Sequence, residues 1–239
     1  MRDPVALCAQ AVAAWHTSWL TALGLGSRYT GDAWRALDAP PVIYFAAIAL
    51  RPDALAEAVQ GAPGAVCDPW QKLDLEPYGL HVWRQEPWFL RPATPVSDAV
   101  PSELEIVHVS APPEVEEFEA VSVQGFGGED DRIEAGTYHP PSILEDDAMG
   151  LFLGRVDGKP VGASMGHRTE EAVGVFGVTT IASARRRGYG AALTRAAMLM
   201  DTGLPSVLAP SPEGESLYLQ LGFRRAGELS IWVREDPGP

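Results

Sequence analysis

The stretch Val173 to Ala192, VGVFGVTTIASARRRGYGAA, constrains this chain more than any other. A β-branched apolar run passes through a short turn into Arg185-x-x-Gly188-x-Gly190, and a helical pattern begins at once. Strand, Gly-rich turn and helix N-terminus in that order build an anion site from backbone alone. The first N–H groups of a helix have no internal partners, and the helix dipole favours negative charge there. Glycine lets the main chain approach a pyrophosphate closely, because no Cβ stands in the way. Arg185, Arg186 and Arg187 add positive charge inside an otherwise acidic half of the chain. A phosphorylated ligand is implied.

The pattern narrows that ligand. A nucleoside-triphosphate loop would carry Lys-Ser or Lys-Thr after its last Gly, where Ala191 and Ala192 stand. A dinucleotide fingerprint needs three glycines at G-x-G-x-x-G, and here Gly188 and Gly190 alone fit. Arg-x-x-Gly-x-Gly-Ala after a strand ending in Val178-Thr179-Thr180 instead resembles the acyl-CoA loop of the GNAT superfamily of N-acyltransferases. A second motif follows downstream. Tyr218-x-x-Leu221-Gly222-Phe223 ends a helix at a Gly suited to positive φ and begins a strand, which is similar to the same family's next element.

The resemblance implies a mixed, mostly antiparallel twisted sheet flanked by helices, an α/β (α+β) GNAT fold, with acetyl-CoA as co-substrate. It implies that Val178, Thr179 and Thr180 line the pantetheine arm. Arg185, Arg186, Arg187, Gly188, Tyr189, Gly190 and Ala191 would cradle the phosphates. Tyr218 would sit near the CoA sulfur and protonate the leaving thiolate, and the Val178 N–H would polarise the acetyl carbonyl. Ser211 aligns with a position where relatives often place Asn on the CoA arm, and this chain departs from them there.

The general base is open. His167 follows the Asp157-Gly158 turn, and its ordinary pKa suits amine deprotonation. Glu170 and Glu171 precede the strand into the loop, and Glu119 lies on an earlier helix. None is assigned. The acceptor is expected to be a small-molecule primary amine. A non-catalytic acyl-CoA-binding regulatory module and a protein acetyltransferase are the alternatives.

Composition sets outer limits. Two cysteines, Cys8 and Cys67, support neither a disulfide framework nor a zinc site, and no metal-ligand spacing occurs. No apolar run is long enough to span a bilayer, and the N-terminus lacks a secretory cleavage pattern, so a cytoplasmic protein without membrane contact is expected. The formal net charge is -14: residues 1–100 hold 7 Lys and Arg against 10 Asp and Glu, the remainder 11 against 22. Nucleic acid is a poor partner for such a surface. A homodimer is left open.

Pro92, Pro95 and Pro101 amid Ser and Asp mark a linker, dividing a smaller N-terminal α/β lobe, 1–100, from a GNAT domain, 101–239. In the lobe, Val5, Cys8, Val12, Trp15 and Trp19 share a helix face. Val42 to Leu50 and Gly64 to Trp70 read as strands, and Pro52 to Val59 as a short helix. His81 to Arg91 reads as two short strands or one bent edge, because Pro87 removes a ladder donor. The lobe faintly echoes the second half, as a degenerate GNAT copy would. Its tryptophans are expected to fill its core and its junction with the enzyme. In the second half, Leu104 to Val109 reads as a strand, Pro112 to Val121 as a helix, and Gly150 to Met165 as a hairpin turning at Asp157-Gly158. The long Phe126 to Asp147 segment is expected to shape the acceptor site.

Overall fold

The computed structural model describes residues 3–41 and 43–234. Asp3 accepts the Val5 N–H at 3.0 Å and Pro4 sits in the first turn, which together start helix α1 (Pro4–Ala22). Short strands β1 (Ser27–Tyr29) and β2 (Ala33–Ala36) follow, then β3 (Phe45–Ala49), β4 (Ala65–Asp68) and β5 (Leu80–Arg91). Next come β6 (Glu105–His108), α2 (Pro112–Phe126), the hairpin β7 (Met149–Val156) and β8 (Lys159–Arg168), and β9 (Val173–Thr180). The chain closes with α3 (Tyr189–Met198), β10 (Ser206–Leu208), α4 (Glu215–Gln220) and β11 (Arg224–Arg234).

The strands join one sheet in the order β1-β2-β3-β4-β11-β5-β10-β9-β8-β7-β6. Only β3–β4 and β9–β10 run parallel, so the sheet is mixed and mostly antiparallel, as the fold class requires. The sheet crosses the expected boundary near residue 100 without a break. β11 lies between β4 and β5, and β5 lies between β11 and β10, so the halves exchange strands. Helices α1 and α2 share one core on one face, including Trp15, Trp19, Phe118, Leu151 and Met165. Helices α3 and α4 cover the opposite face, where Tyr189, Ala197, Tyr218 and Phe223 are buried.

Several local expectations hold. The hairpin turns at Asp157 and Gly158, both at positive φ (49° and 73°), which is the type I′ signature. Gly222 ends α4 at φ 90°, and Phe223 behind it is fully buried. Others need correcting. Pro52 to Val59 forms only one 3-10 turn, Ala56–Ala58, because its apolar side is an Ala-rich stripe too small to bury much area. Val42 lies outside the described residues, and the strand beyond it starts at Phe45. His81 to Arg91 lies in one continuous strand that pairs with β11 along its length. Pro87 is tolerated because β10 pairs only Phe89 to Arg91, leaving the other edge of Leu80 to Trp88 without a strand partner among the described residues. β1 and β2 had no period-2 signal of their own length to announce them.

Candidate functional site

The opening in the sheet is built by β9. Its parallel pairing with β10 is confined to Val173 and Gly174, opposite Ser206 and Val207. Val175 to Thr180 therefore present a free edge on that side, facing the equally free edge of β5. On the other side β9 carries a bulge: Ala163 of β8 pairs with Thr179, but Met165 pairs with Phe176, so Ser164 opposes both Gly177 and Val178. Gly177 takes φ 58°, which an L side chain adopts only under strain. The extra residue shifts the pleat. Phe176 stacks on Trp15 of α1 with ring centroids 4.4 Å apart, and Thr179 touches Gly125 of α2, although both helices lie on one face and the two residues are three apart. Val178 is turned to the α3–α4 side.

Past β9 a single turn, Ala182–Ala184, leads to Arg185, Arg186 at φ 60° and Gly188 at φ 83°. Gly188 is the N-cap of α3, and no side chain caps that end. The first intrahelical bond runs from the Ala192 N–H to the Gly188 carbonyl, at 3.1 Å. The N–H groups of Tyr189, Gly190 and Ala191 precede it and can face an anion. Their side chains have other tasks. Tyr189 is buried and its hydroxyl donates to Glu103 at 3.0 Å. Arg185 turns inward: its Nε donates to the Thr180 carbonyl at 3.2 Å and its Nη2 to the Gly125 carbonyl at 3.0 Å, tying the loop to β9 and α2. Arg186 and Arg187 are exposed.

Tyr218, on α4, is buried against Phe223, ring edge to ring face at 5.9 Å. Burial pushes its phenol up to about 12, partly countered by a hydrogen bond with Thr194. Val178, Ser211 and Tyr218 line one cavity of about 230 Å³ in the opening between β9 and β5, with Trp88 and Leu208. A larger cavity of about 690 Å³ shares Trp15, Tyr44, Phe45, Glu86, Phe126 and Gly177 with it. Thus the first hundred residues supply walls of both.

The four residues considered as bases fall elsewhere or have other duties. His167 lies opposite Gly174 and Met149, with its Nε2 on the Ser18 hydroxyl at 2.9 Å, and lines neither cavity. Its pKa is lowered by burial, against a partial pull upward from Asp146. Glu170 and Glu171 border a separate depression beside α1. Glu119 is fully buried, and its carboxylate accepts the N–H groups of Gly136 (2.6 Å), Tyr138 (2.6 Å) and His139 (2.9 Å). It pins the long loop to α2. Glu86 and Ser122, which sequence reasoning passed over, line the larger cavity together with His139 of the Phe126 to Asp147 segment. Glu86 sits two residues before Trp88 on a strand whose placement depends on long-range pairing, so no local signal singled it out.

Neither the protein-family models nor the curated proteins include a match to this chain. Solved structures do match. A GCN5-related N-acetyltransferase from Kribbella flavida superposes with a TM-score of 0.67 at 18% identity, over 98% of this chain and 96% of that one. An acetyltransferase of the GNAT family, described as putative, from Novosphingobium aromaticivorans gives 0.58 at 21% identity, over 95% and 99%. A conserved protein of unknown function from Staphylococcus epidermidis gives 0.61 at 13%, over 87% and 93%. The fold is that of the GNAT acetyltransferases.

Proposed function

We propose that on this GNAT fold the chain is an N-acetyltransferase, moving an acetyl group from acetyl-CoA to a primary amine of a small molecule in a ternary complex. The observation that carries this reading is the shared cavity: Tyr218 and the bulged Val178 line one opening at the free edge of β9. From there the same strand runs directly into an uncapped helix N-terminus with glycines at Gly188 and Gly190. The residues fit a CoA thioester. A Cβ added at Gly190 would meet only Leu217, at 3.5 Å, so the main chain there is open to close approach. Val178, Thr179 and Thr180 offer the strand edge, Arg186 to Ala191 the phosphate cradle, and Ser211 a hydroxyl at the cavity wall. Arg185 acts by holding the cradle in place. Residues 101–239 hold the CoA machinery, and residues 1–100 complete the acceptor side.

In this reading the neutral amine attacks the acetyl carbonyl, the C–N bond forms and the C–S bond breaks. The sulfur leaves with the Tyr218 proton, and the nitrogen sheds one proton that returns the phenol to its starting state. A phenol held near 12 stays protonated throughout the neutral range, as an acid must. Isothermal titration with acetyl-CoA, followed by thiol release across a panel of amines, tests the proposal. Saturable binding with amine-dependent thiol release is expected. Absence of acetyl-CoA binding would reduce the Arg186-to-Ala191 loop to a tight turn.

A further inference from the structure

The larger cavity has a chemical character of its own. Its wall is a set of rings, among them Trp15, Tyr44, Phe45, Trp83 and Phe126, and Glu86 is its one acidic side chain. Glu86 is also the one acidic residue lining the smaller cavity that Tyr218 and Val178 share. The Glu86 side chain is 16% exposed, and its Oε1 meets Arg84 Nη2 at 2.5 Å. Arg84 itself is half exposed and rests over the Trp83 ring, 4.5 Å from its centroid. A polar contribution comes from groups with no protein partner. The Trp15 Nε1, the Ser122 Oγ and both ring nitrogens of His139 are buried without hydrogen bonds, and all three residues line this cavity. His139 is 5% exposed and is held there by Glu119 through the loop backbone.

We propose that the acceptor is a monoamine on a flat apolar body, its ammonium received by Glu86 and losing one proton to solvent before attack, its body enclosed by the aromatic wall. Arg84 lines the same cavity and meets Oε1 of Glu86, which leaves Oε2 for one ammonium, whereas a polycation would bury further charges without partners. Aromatic faces attract both a flat apolar body and a cation beside it. Glu86 lines both cavities, so an amine held there has access to the one that Val178 and Tyr218 share. Desolvation raises the Glu86 pKa and Arg84 lowers it in part, so the carboxylate gains from an ammonium neighbour.

This assignment rests on the acetyl-transfer reading for its turnover arm alone, because acceptor binding is measured separately. Phenethylamine, tyramine, tryptophan, spermidine and an aminoglycoside are compared as acceptors with the intact protein, by thiol release and by calorimetry in the presence of CoA. The highest kcat/KM is expected with tyramine or phenethylamine. Glu86→Gln should lower kcat/KM for both by about 10- to 100-fold, chiefly through KM, with acetyl-CoA affinity within about twofold. Phe126→Ala alters a side chain 68% exposed at the end of α2, so folding is not at risk, and it should raise KM for the aryl amines more than for spermidine. Faster turnover of spermidine, the aminoglycoside or tryptophan, whose carboxylate would lie against Glu86, would overturn the assignment and leave acetyl transfer standing. Aryl-amine binding lost in Glu86→Gln, without thiol release from the parent protein, would support the assignment and sink acetyl transfer. Unchanged parameters in Glu86→Gln would overturn the assignment outright.

Discussion

Gly125, near the end of α2, decides how closely that helix can lie on the bulged strand. A Cβ built there falls 2.3 Å from Thr179 Oγ1, 2.8 Å from Cγ2 and 3.0 Å from Cβ. Thr is β-branched, so rotating χ1 exchanges one clash for another. Gly125→Ala must therefore push α2 off β9. Overpacking of this kind costs about 1–3 kcal/mol, while exchanging Gly for Ala in a helix returns up to about 1 kcal/mol, and less near a terminus. The clash wins, and a net loss of about 1–2 kcal/mol is expected. In a chain of this size that lowers Tm by about 2–8 °C in calorimetry. The displacement also reaches the loop, because the Gly125 carbonyl accepts Arg185 Nη2. Acetyl-CoA affinity should weaken in the same variant. Thr179→Ala removes the Oγ1 and Cγ2 contacts, so the double variant should be more stable than the two single effects predict, by at least about 0.5 kcal/mol. A parental Tm in Gly125→Ala, or strict additivity with Thr179→Ala, would refute the claim that this contact sets the spacing.

Other expectations follow from the same geometry. Tyr218→Phe should lower kcat by about 10²- to 10⁴-fold and leave acetyl-CoA affinity within about twofold; single-turnover thiol release checks it, and unchanged kcat removes the phenol from the chemistry. Gly177→Ala forces a side chain into φ 58° and toward Met165 Cε at 2.6 Å, so a loss of about 1–2 kcal/mol in denaturant unfolding is expected. Three buried histidines, His16, His139 and His167, make stability depend on pH. His16 accepts the Phe45 N–H on Nε2 at 3.0 Å and donates from Nδ1 to Val12 at 2.8 Å, and burial lowers its pKa to about 4; burial alone lowers His139 to about 4 as well. The unfolded chain then binds more protons than the folded one between pH 6.5 and 4, so stability is whole above 6.5 and falls toward 4 by up to about 3 kcal/mol per histidine. Urea titrations at pH 7, 5.5 and 4.5 measure that slope, and in His16→Gln it should fall by less than half, because His139 and His167 remain.

What was legible in the sequence were features that local chemistry writes. The loop from β9 to α3 was visible because strand, glycines and helix start lie within one short segment, and the Gly222 helix stop because positive φ calls for Gly. The bulge at Gly177 was not visible. An isolated Gly inside a β-branched run is a weak mark, and Phe176 and Thr179 reveal the shifted pleat only once α1 and α2 are placed. Glu86 was hidden for a stronger reason. It belongs to a strand that pairs with the last strand of the chain, Leu229↔Glu86, across most of the sequence. The same exchange explains why the first half matters to the site at all. With β5 seated between β10 and β11, the residues facing the free edge of β9 come from before residue 100, and α1 crosses over them to stack Trp15 on Phe176. The carboxylate that lines both cavities is thus delivered by the first hundred residues. A halved protein consisting of residues 101–239 would lose β5 from the middle of its sheet, and with it one of the two partners of β10 and part of the wall of both cavities.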